Sequence, residues 1–327
     1  MKLRTIDDMQ VSALGYGAMG LSHAYGEPVE RNDAERIIRS AYEAGYTYFD
    51  TAEVYRGTYK DGSESNNEEL VGRALHDVRD KVRISTKFGI SIAADRGLVP
   101  DSRPEVIRRS VEASLKRLNT DYIDLYYQHR SDPATEPETV AEVMSQLIRE
   151  GKILHWGLSE CSAQYIERAD AVCHVSAIQN RYSMMARSAE ALFPLLEKRH
   201  IALVAFSPLA NGFLTSGAHS FSGSGGKDYR DTMPQFTEEG RERGQALLDL
   251  IERLAAEKNC TSAAISLAWM LNNKDYIIPI PGSKNVNRIR ENAAAADIVL
   301  SADELEQIDS LLEKSDFLVF GGNRIVR

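Results

Sequence analysis

Four side chains of complementary chemistry fall at equivalent places along the chain. Thr47-Tyr48-Phe49-Asp50 is a short run of β-branched and aromatic residues ending on an acid, and Tyr55 follows in what should be the next loop. Val82 to Lys87 and Tyr122 to His129 are further strand-like runs that end on an ionisable group. An ammonium in a strand buried on both faces is costly unless a carboxylate meets it, and Asp50 is a partner for Lys87. A cation near Tyr55 should lower the phenol from its reference of about 10 toward working pH. Tyr55 could then give a proton to a carbonyl oxygen or take one back, while His129 orients the carbonyl or shares the proton. Taken singly, Asp50 reads as a cap, Tyr55 as a loop aromatic, Lys87 as a surface charge and His129 as a satisfied core histidine. Together they read as an active site.

The elements that would carry them alternate between strand and helix periodicity. After two short extended runs, Lys2 to Ile6 and Met9 to Leu14, read as a hairpin closing the barrel floor, a helix is expected from Asn32 or Asp33 to Gly45. Strands before Asp50, Lys87 and His129 are separated by helices over Glu68 to Leu75 and from Pro104. Ile153 to Ser159, Ala177 to Gln179, Ile201 to Phe206 and Tyr276 to Ile280 complete the strands, with a helix from Val286 after the last. Such alternation predicts parallel strands joined by right-handed crossovers, the α/β class, and eight of them close into a (β/α)8 TIM barrel of one domain over residues 1–327. A doubly wound open sheet shares the local pattern. Closure is favoured because Asp50, Lys87, His129, Ser159, Gln179 and Ser207 all fall at the C-terminal ends of different strands, where such barrels carry their chemistry.

Gly15-Tyr16-Gly17-Ala18-Met19-Gly20 matches the dinucleotide fingerprint literally, but no helix follows at once to hold a pyrophosphate, so it reads as a glycine-lined first loop. The stretch from Leu209 to Glu239, rich in Gly, Ser and Thr, reads as a mobile flap over the mouth, and the apolar tail from Phe317 to Asn323 as a segment that closes over a ligand or packs on the barrel.

With 39 Lys and Arg against 48 Asp and Glu, net charge −9, bulk binding to nucleic acid or an anionic membrane is disfavoured. Cys161, Cys173 and Cys260 are too few and too scattered for a disulfide framework or a metal site, and no apolar signal region or bilayer-length stretch occurs. A cytoplasmic protein without a metal is expected, and a homo-oligomer is compatible with this composition.

Asp50-x4-Tyr55, Lys87 in Ser-Thr-Lys-Phe-Gly, His129 in Tyr-Tyr-Gln-His-Arg, and Gly157-Leu158-Ser159 resemble the aldo-keto reductase superfamily from about Val11 to the helix after Asn292. That resemblance implies a barrel that binds NADPH (NADP+) in extended form and passes hydride to an aldehyde or ketone. It gives Tyr55 the role of acid, Lys87 and Asp50 that of tuning it, and His129 that of directing the substrate. It further implies that Ser159 and Gln179 hold the carboxamide, that Phe206 stacks on the nicotinamide, and that Asp50 also faces the ribose. Ser207, Leu209 and Gly212 match a segment passing over the pyrophosphate, and Gly17 joins the cofactor-facing set. Glu160 stands where the family often has Asn; it can accept a hydrogen bond from the amide but cannot donate one. Gly282, Ser283, Lys284, Arg288, Glu291 and Asn292 open the last barrel helix. Its N–H groups with Lys284 and Arg288 suit a 2′-phosphate, hence NADPH over NADH, although Lys284 and Arg288 at i,i+4 also fit a solvated face.

Substrate positions are the least marked. Tyr25 is expected at the substrate with Tyr55 and His129; Trp156, Tyr182 and Met184 are candidates for pocket walls, although aromatics and Met at strand ends are more often core, and the polar extension from Arg56 to Asn67 should overhang the mouth. A cofactor-binding regulatory subunit on the same fold, with little turnover, is the alternative to a reductase. A metal-dependent hydrolase using Asp50 and His129 ranks last, since no His-x-His or carboxylate cluster stands at the strand ends.

Overall fold

A computed structural model describes residues 1–93, 97–217, 221, 223–226 and 228–320 of the chain. It opens with an antiparallel hairpin of β1 (Leu3–Ile6) and β2 (Met9–Ser12), turned at Asp7 with a left-handed φ of 51° that Asp tolerates. Ile6, Met9 and Val11 share one apolar cluster with Tyr48, Leu125, Tyr127, Val204 and Ile278 from the strands that follow.

The repeat then runs β3 (Tyr16–Gly17), α1 (Arg31–Glu43) and β4 (Tyr48–Asp50). A small antiparallel hairpin, β5 (Arg56–Thr58) and β6 (Glu64–Asn66), leads into α2 (Asn67–Leu75) and β7 (Arg83–Phe88). A second, β8 (Ile90–Ile92) and β9 (Leu98–Pro100), precedes α3 (Pro104–Leu118) and β10 (Ile123–Gln128). Next come α4 (Pro137–Arg149), β11 (Ile153–Ser159), α5 (Ala163–Asp170), β12 (Ala177–Arg181), α6 (Phe193–Arg199) and β13 (Ala202–Phe206). The chain ends through α7 (Glu238–Glu257), α8 (Ser262–Asn273), β14 (Ile277–Pro279), α9 (Val286–Ala294) and α10 (Ala302–Lys314).

Eight strands pair in parallel in the order β3, β4, β7, β10, β11, β12, β13, β14. The two ends of this curled sheet meet where Gly15 N–H donates to Pro279 O at 2.9 Å and Gly17 N–H to Pro281 O at 3.3 Å, the closure of a (β/α)8 barrel. Here one expectation is corrected: Tyr16–Gly17 is the first barrel strand, where a glycine-lined loop was expected. A Cβ on Gly15 would lie 2.4 Å from the Tyr48 ring, and one on Gly17 2.8 Å from Ile280 O. Those glycines let two backbones approach at the seam, which explains the dinucleotide-like pattern without a phosphate turn.

The helices obey their local signals. Asn66, Ser162, Thr237, Thr261, Asn285 and Ser301 cap helix starts with side-chain oxygens, and α3 and α4 begin on Pro. Ile37, Ile38 and Ala41 are buried on α1, which stops just before Gly45 at φ 93°. Trp156, Tyr182 and Met184 lie in the apolar layer between strands and helices. Of the two readings they take the core one: the pleat of β11 turns Trp156 outward and Tyr182 stacks on Trp269.

Between Leu209 and Glu239 the chain makes short helical turns at Ala210–Gly212, Tyr229–Thr232 and Pro234–Phe236. This connection is tied to the first loop by a Tyr25–Asp228 bridge and by Tyr229 N–H to Ala24 O at 2.9 Å. Its residues 218–220, 222 and 227 lie outside the described ones, as do 321–323 of the expected closing tail. Phe317 and Val319 pack against the outer core, and Phe320 meets Tyr229 edge-on at 5.0 Å. Among the described residues no helix is long and apolar enough to cross a membrane, no cluster suits a metal, and the three cysteines are free.

Candidate active site

Parallel strands β4, β7 and β10 bring Asp50, Lys87 and His129 to one end of the barrel. Their register places Asp50 beside Ser85, and Lys87 beside Tyr127, two residues before His129. Lys87 is fully buried, and its Nζ donates to Asp50 Oδ1 at 2.6 Å and to Thr51 O at 2.7 Å. The other carboxylate oxygen, Asp50 Oδ2, accepts from Ser85 Oγ and from Gln179 Nε2, each at 2.8 Å. The buried ion pair is therefore satisfied on both sides, the condition for keeping two charges out of water.

Tyr55 enters from the loop after β4, and its ring lies with the Lys87 ammonium 4.9 Å from the centroid. His129 meets that ring edge-on at 5.8 Å, and His23, from the first loop, stacks against it at 5.8 Å. The His129 Nδ1 atom is buried without a hydrogen-bond partner among the described residues, an unusual state for an imidazole unless a ligand completes it.

The electrostatics differ from the expectation in one respect. Burial raises the Tyr55 phenol above its ordinary value, and Lys87 offsets this only in part, so the phenol is not brought down toward neutrality. Burial also works to lower the Lys87 ammonium, but Asp50 and Tyr55 outweigh it and leave the net shift upward. Burial, reinforced by the charges of Arg130 and Lys87 and by His23, holds the His129 imidazole well below its usual range. At neutral pH the site thus presents a charged amine, a protonated phenol and a neutral imidazole. That set can donate a proton to an oxygen developing negative charge.

The positions expected to face the cofactor spread along the same rim. Ser159 is buried at the end of β11, and its Oγ accepts from Arg130 Nη1 at 3.0 Å. Gln179 holds Asp50, as above. Glu160 carries a left-handed φ of 56°; its N–H donates to Asn180 Oδ1 at 3.0 Å and its carboxylate accepts from Arg181 N–H at 2.9 Å. Phe206 ends β13, and Ser207, Ala210 and Asn211 after it all have positive φ, with Gly212 at φ 95°. A run of non-glycine residues in that region stores strain of the kind concentrated at ligand sites. Leu209 packs on the outer core.

Gly282 stands against Gly17, where an added Cβ would lie 2.4 Å from Gly17 O, so the start of α9 adjoins the first strand. Tyr16 OH donates to Ser283 O at 2.8 Å. Two N–H groups expected at a phosphate, those of Asn287 and Arg288, are already capped by Asn285 Oδ1. Lys284 Nζ reaches Tyr25 O at 2.9 Å and Glu27 O at 3.3 Å, so it bridges to the first loop. Arg288 and Glu291 are exposed, whereas Asn292 is buried. Tyr25 accepts at its hydroxyl from Asn211 Nδ2 at 2.8 Å. The Arg56 to Asn67 extension is the β5–β6 hairpin, lodged against Ser22 O and Pro28 of the first loop. The quartet is brought together; the α9 group stands apart from it at the seam. Sequence reasoning missed His23, Arg130 and Arg181. Only Arg130, next to His129, carried a signal in its position.

Comparison with known proteins agrees with this geometry. A profile described as the Aldo/keto reductase family matches residues 13–313. A probable aldo-keto reductase 1 of Glycine max is 36% identical over 307 residues, covering 91% of this chain and 85% of the relative. Among solved structures, a glycerol dehydrogenase of Gluconobacter oxydans superposes with a TM-score of 0.86 at 25% identity over 99% of both chains. An aldo/keto reductase of Klebsiella pneumoniae, solved with NADP and acetate, gives a TM-score of 0.71 at 26% identity over 98% of this chain and 96% of that one.

Proposed function

The chain belongs to the aldo/keto reductase family, and from that premise we propose that it reduces aldehyde or ketone carbonyls to alcohols with NADPH, acting as one domain over residues 1–327 with its N-terminal hairpin as the barrel floor. The observation that carries this reading is the buried Lys87–Asp50 pair at 2.6 Å set against the Tyr55 ring.

NADPH, when bound, supplies the hydride. The residues suit such a group: Phe206 offers a flat face, Ser159 a hydroxyl, Ser283, Lys284 and Arg288 a polar and cationic end beyond the seam, and the solved Klebsiella pneumoniae relative holds NADP. Tyr55 gives its proton to the carbonyl oxygen. A phenol held above its ordinary value keeps that proton until charge develops on the acceptor. Lys87 stays charged because Asp50 neutralises it, and it stabilises the phenolate that Tyr55 leaves behind. His129, neutral, directs the carbonyl toward Tyr55. Asp50 is fixed by Ser85 and Gln179 and so fixes Lys87.

The experiment is fluorescence titration with NADPH and NADH, followed by NADPH consumption with 4-nitrobenzaldehyde. Tight NADPH binding with turnover is expected; tight binding without turnover on any aldehyde would favour the regulatory alternative.

A further inference from the structure

We infer that Arg130 and Arg181 form a cradle for a carboxylate carried by the carbonyl substrate, so that the preferred substrates are aldehydes or ketones with an anionic far end. The inference rests on the reductase reading and narrows its substrate class.

Arg130 directly follows His129, and Arg181 ends β12. Many arginines on this acidic chain are drawn into ion pairs, as Arg39 is with Asp77, Arg117 with Glu68, and Arg168 with Glu136 and Glu138, while Arg4 and Arg149 donate to neutral oxygens. Among the described residues, the guanidinium groups of Arg130 and Arg181 meet only neutral groups. Arg130 Nη1 donates to His129 O at 2.6 Å and Ser159 Oγ at 3.0 Å. The Arg181 guanidinium lies over the rings of Phe206, at 5.2 Å, and Phe320, at 5.3 Å. Asp132, two residues after Arg130, is occupied by Ser102 N–H and the Thr135 hydroxyl. Glu160, the acid whose charge acts most on Arg181, accepts from the Arg181 backbone N–H.

The two cations also sense each other and the reacting groups. Arg130 acts electrostatically on Tyr55 and His129. The Arg181 guanidinium is lowered mainly by burial, with Glu160 acting to raise it and Arg130 to lower it. Glu160 offsets part of this at Arg181, but no acid among the described residues pairs with either guanidinium, and two like charges partly withdrawn from water are unfavourable in the free protein. A carboxylate lying between them would relieve both the repulsion and the lost hydration, and guanidinium forks match carboxylate geometry. The resemblance gives the cofactor's pyrophosphate to Ser207, Leu209 and Gly212 and its 2′-phosphate to the α9 end, and its carboxamide is neutral, so none of its charges is assigned to these two arginines. Phe320, over which Arg181 also lies, would wall the apolar middle of such a substrate.

The test compares kcat/KM for 4-carboxybenzaldehyde and for neutral 4-nitrobenzaldehyde, at saturating NADPH, in wild type, Arg181→Met, Arg130→Met and Arg181→Lys. The ratio of carboxylate to neutral substrate should fall about tenfold or more in each Met variant, mainly through KM, and be partly kept by Arg181→Lys. Added salt should lower the ratio in wild type and in Arg181→Lys, and less in each Met variant. Equal losses on both aldehydes, or a weakened NADPH affinity that accounts for the change, would overturn the cradle. Should wild type turn over neither aldehyde, the reductase reading fails, and 4-carboxybenzyl alcohol titrated into the NADP+ complex decides the cradle separately. Binding that Arg181→Met abolishes, with none of benzyl alcohol, supports it; no binding of the anion overturns it.

Discussion

Replacing Lys87 by Met tests how the ion pair and the chemistry are linked. In the wild type the ammonium has no contact with solvent and is held at 2.6 Å by Asp50 and 2.7 Å by Thr51 O. Met fills most of the space but leaves the Asp50 carboxylate buried, keeping only Ser85 Oγ and Gln179 Nε2 as donors on one oxygen. Removing one partner of a buried pair costs about 3–5 kcal/mol. The same reasoning applied to Asp50→Asn strands the ammonium on Thr51 O at a similar cost. The double variant, with both charges gone, should cost less than the two singles summed by at least about 2 kcal/mol. Urea unfolding followed by circular dichroism measures all four proteins. NADPH consumption is read on the same samples. Stability should recover in the double variant while turnover does not, because Tyr55 still lacks its cation. Costs that add to within about 0.5 kcal/mol would refute the idea that the two charges are held by each other.

Two further outcomes follow from particular contacts. Arg288→Ala, at an exposed position, should weaken NADPH about tenfold or more while leaving NADH little changed, measured by fluorescence titration; equal losses would contradict a 2′-phosphate role. His129 is held neutral in the folded protein by burial, with Arg130, Lys87 and His23 adding to it, whereas the unfolded chain takes up its proton near pH about 6.5. Its contribution to stability is then fully present above about pH 6.5 and is lost as pH falls from there toward the lowered folded value. His129→Asn should remove that slope from urea midpoints measured between about pH 5 and 7, and an unchanged slope would count against a neutral His129.

Much of this was legible in the chain because the barrel repeats its signals. Strand runs ending on Asp50, Lys87 and His129, and helices opened by caps or by Pro104, appear in the structure close to where periodicity put them. The seam was not legible. Tyr16–Gly17 is only two residues long, and its glycines serve backbone approach to Ile280 and Gly282, contacts that are remote in sequence. The β8–β9 hairpin went unread for the same reason of brevity. Within the site, the Lys87–Asp50 pair follows from the cost of a buried ammonium, which sequence reasoning can weigh. His23 against Tyr55 depends on a loop path that no period encodes, and the direction of the Tyr55 shift depends on how completely the fold buries it. Trp156 and Tyr182 could be read as core or as pocket wall, since an aromatic at a strand end does not reveal which face of the strand it occupies.

The central claim is that the Tyr55 hydroxyl delivers the proton, and Tyr55→Phe removes that one atom. In a single-turnover experiment with 4-nitrobenzaldehyde, the variant should bind NADPH as wild type does while its rate of carbonyl reduction falls about 10²–10⁴-fold. A variant that reduces the aldehyde at the wild-type rate with the same NADPH affinity would contradict the account.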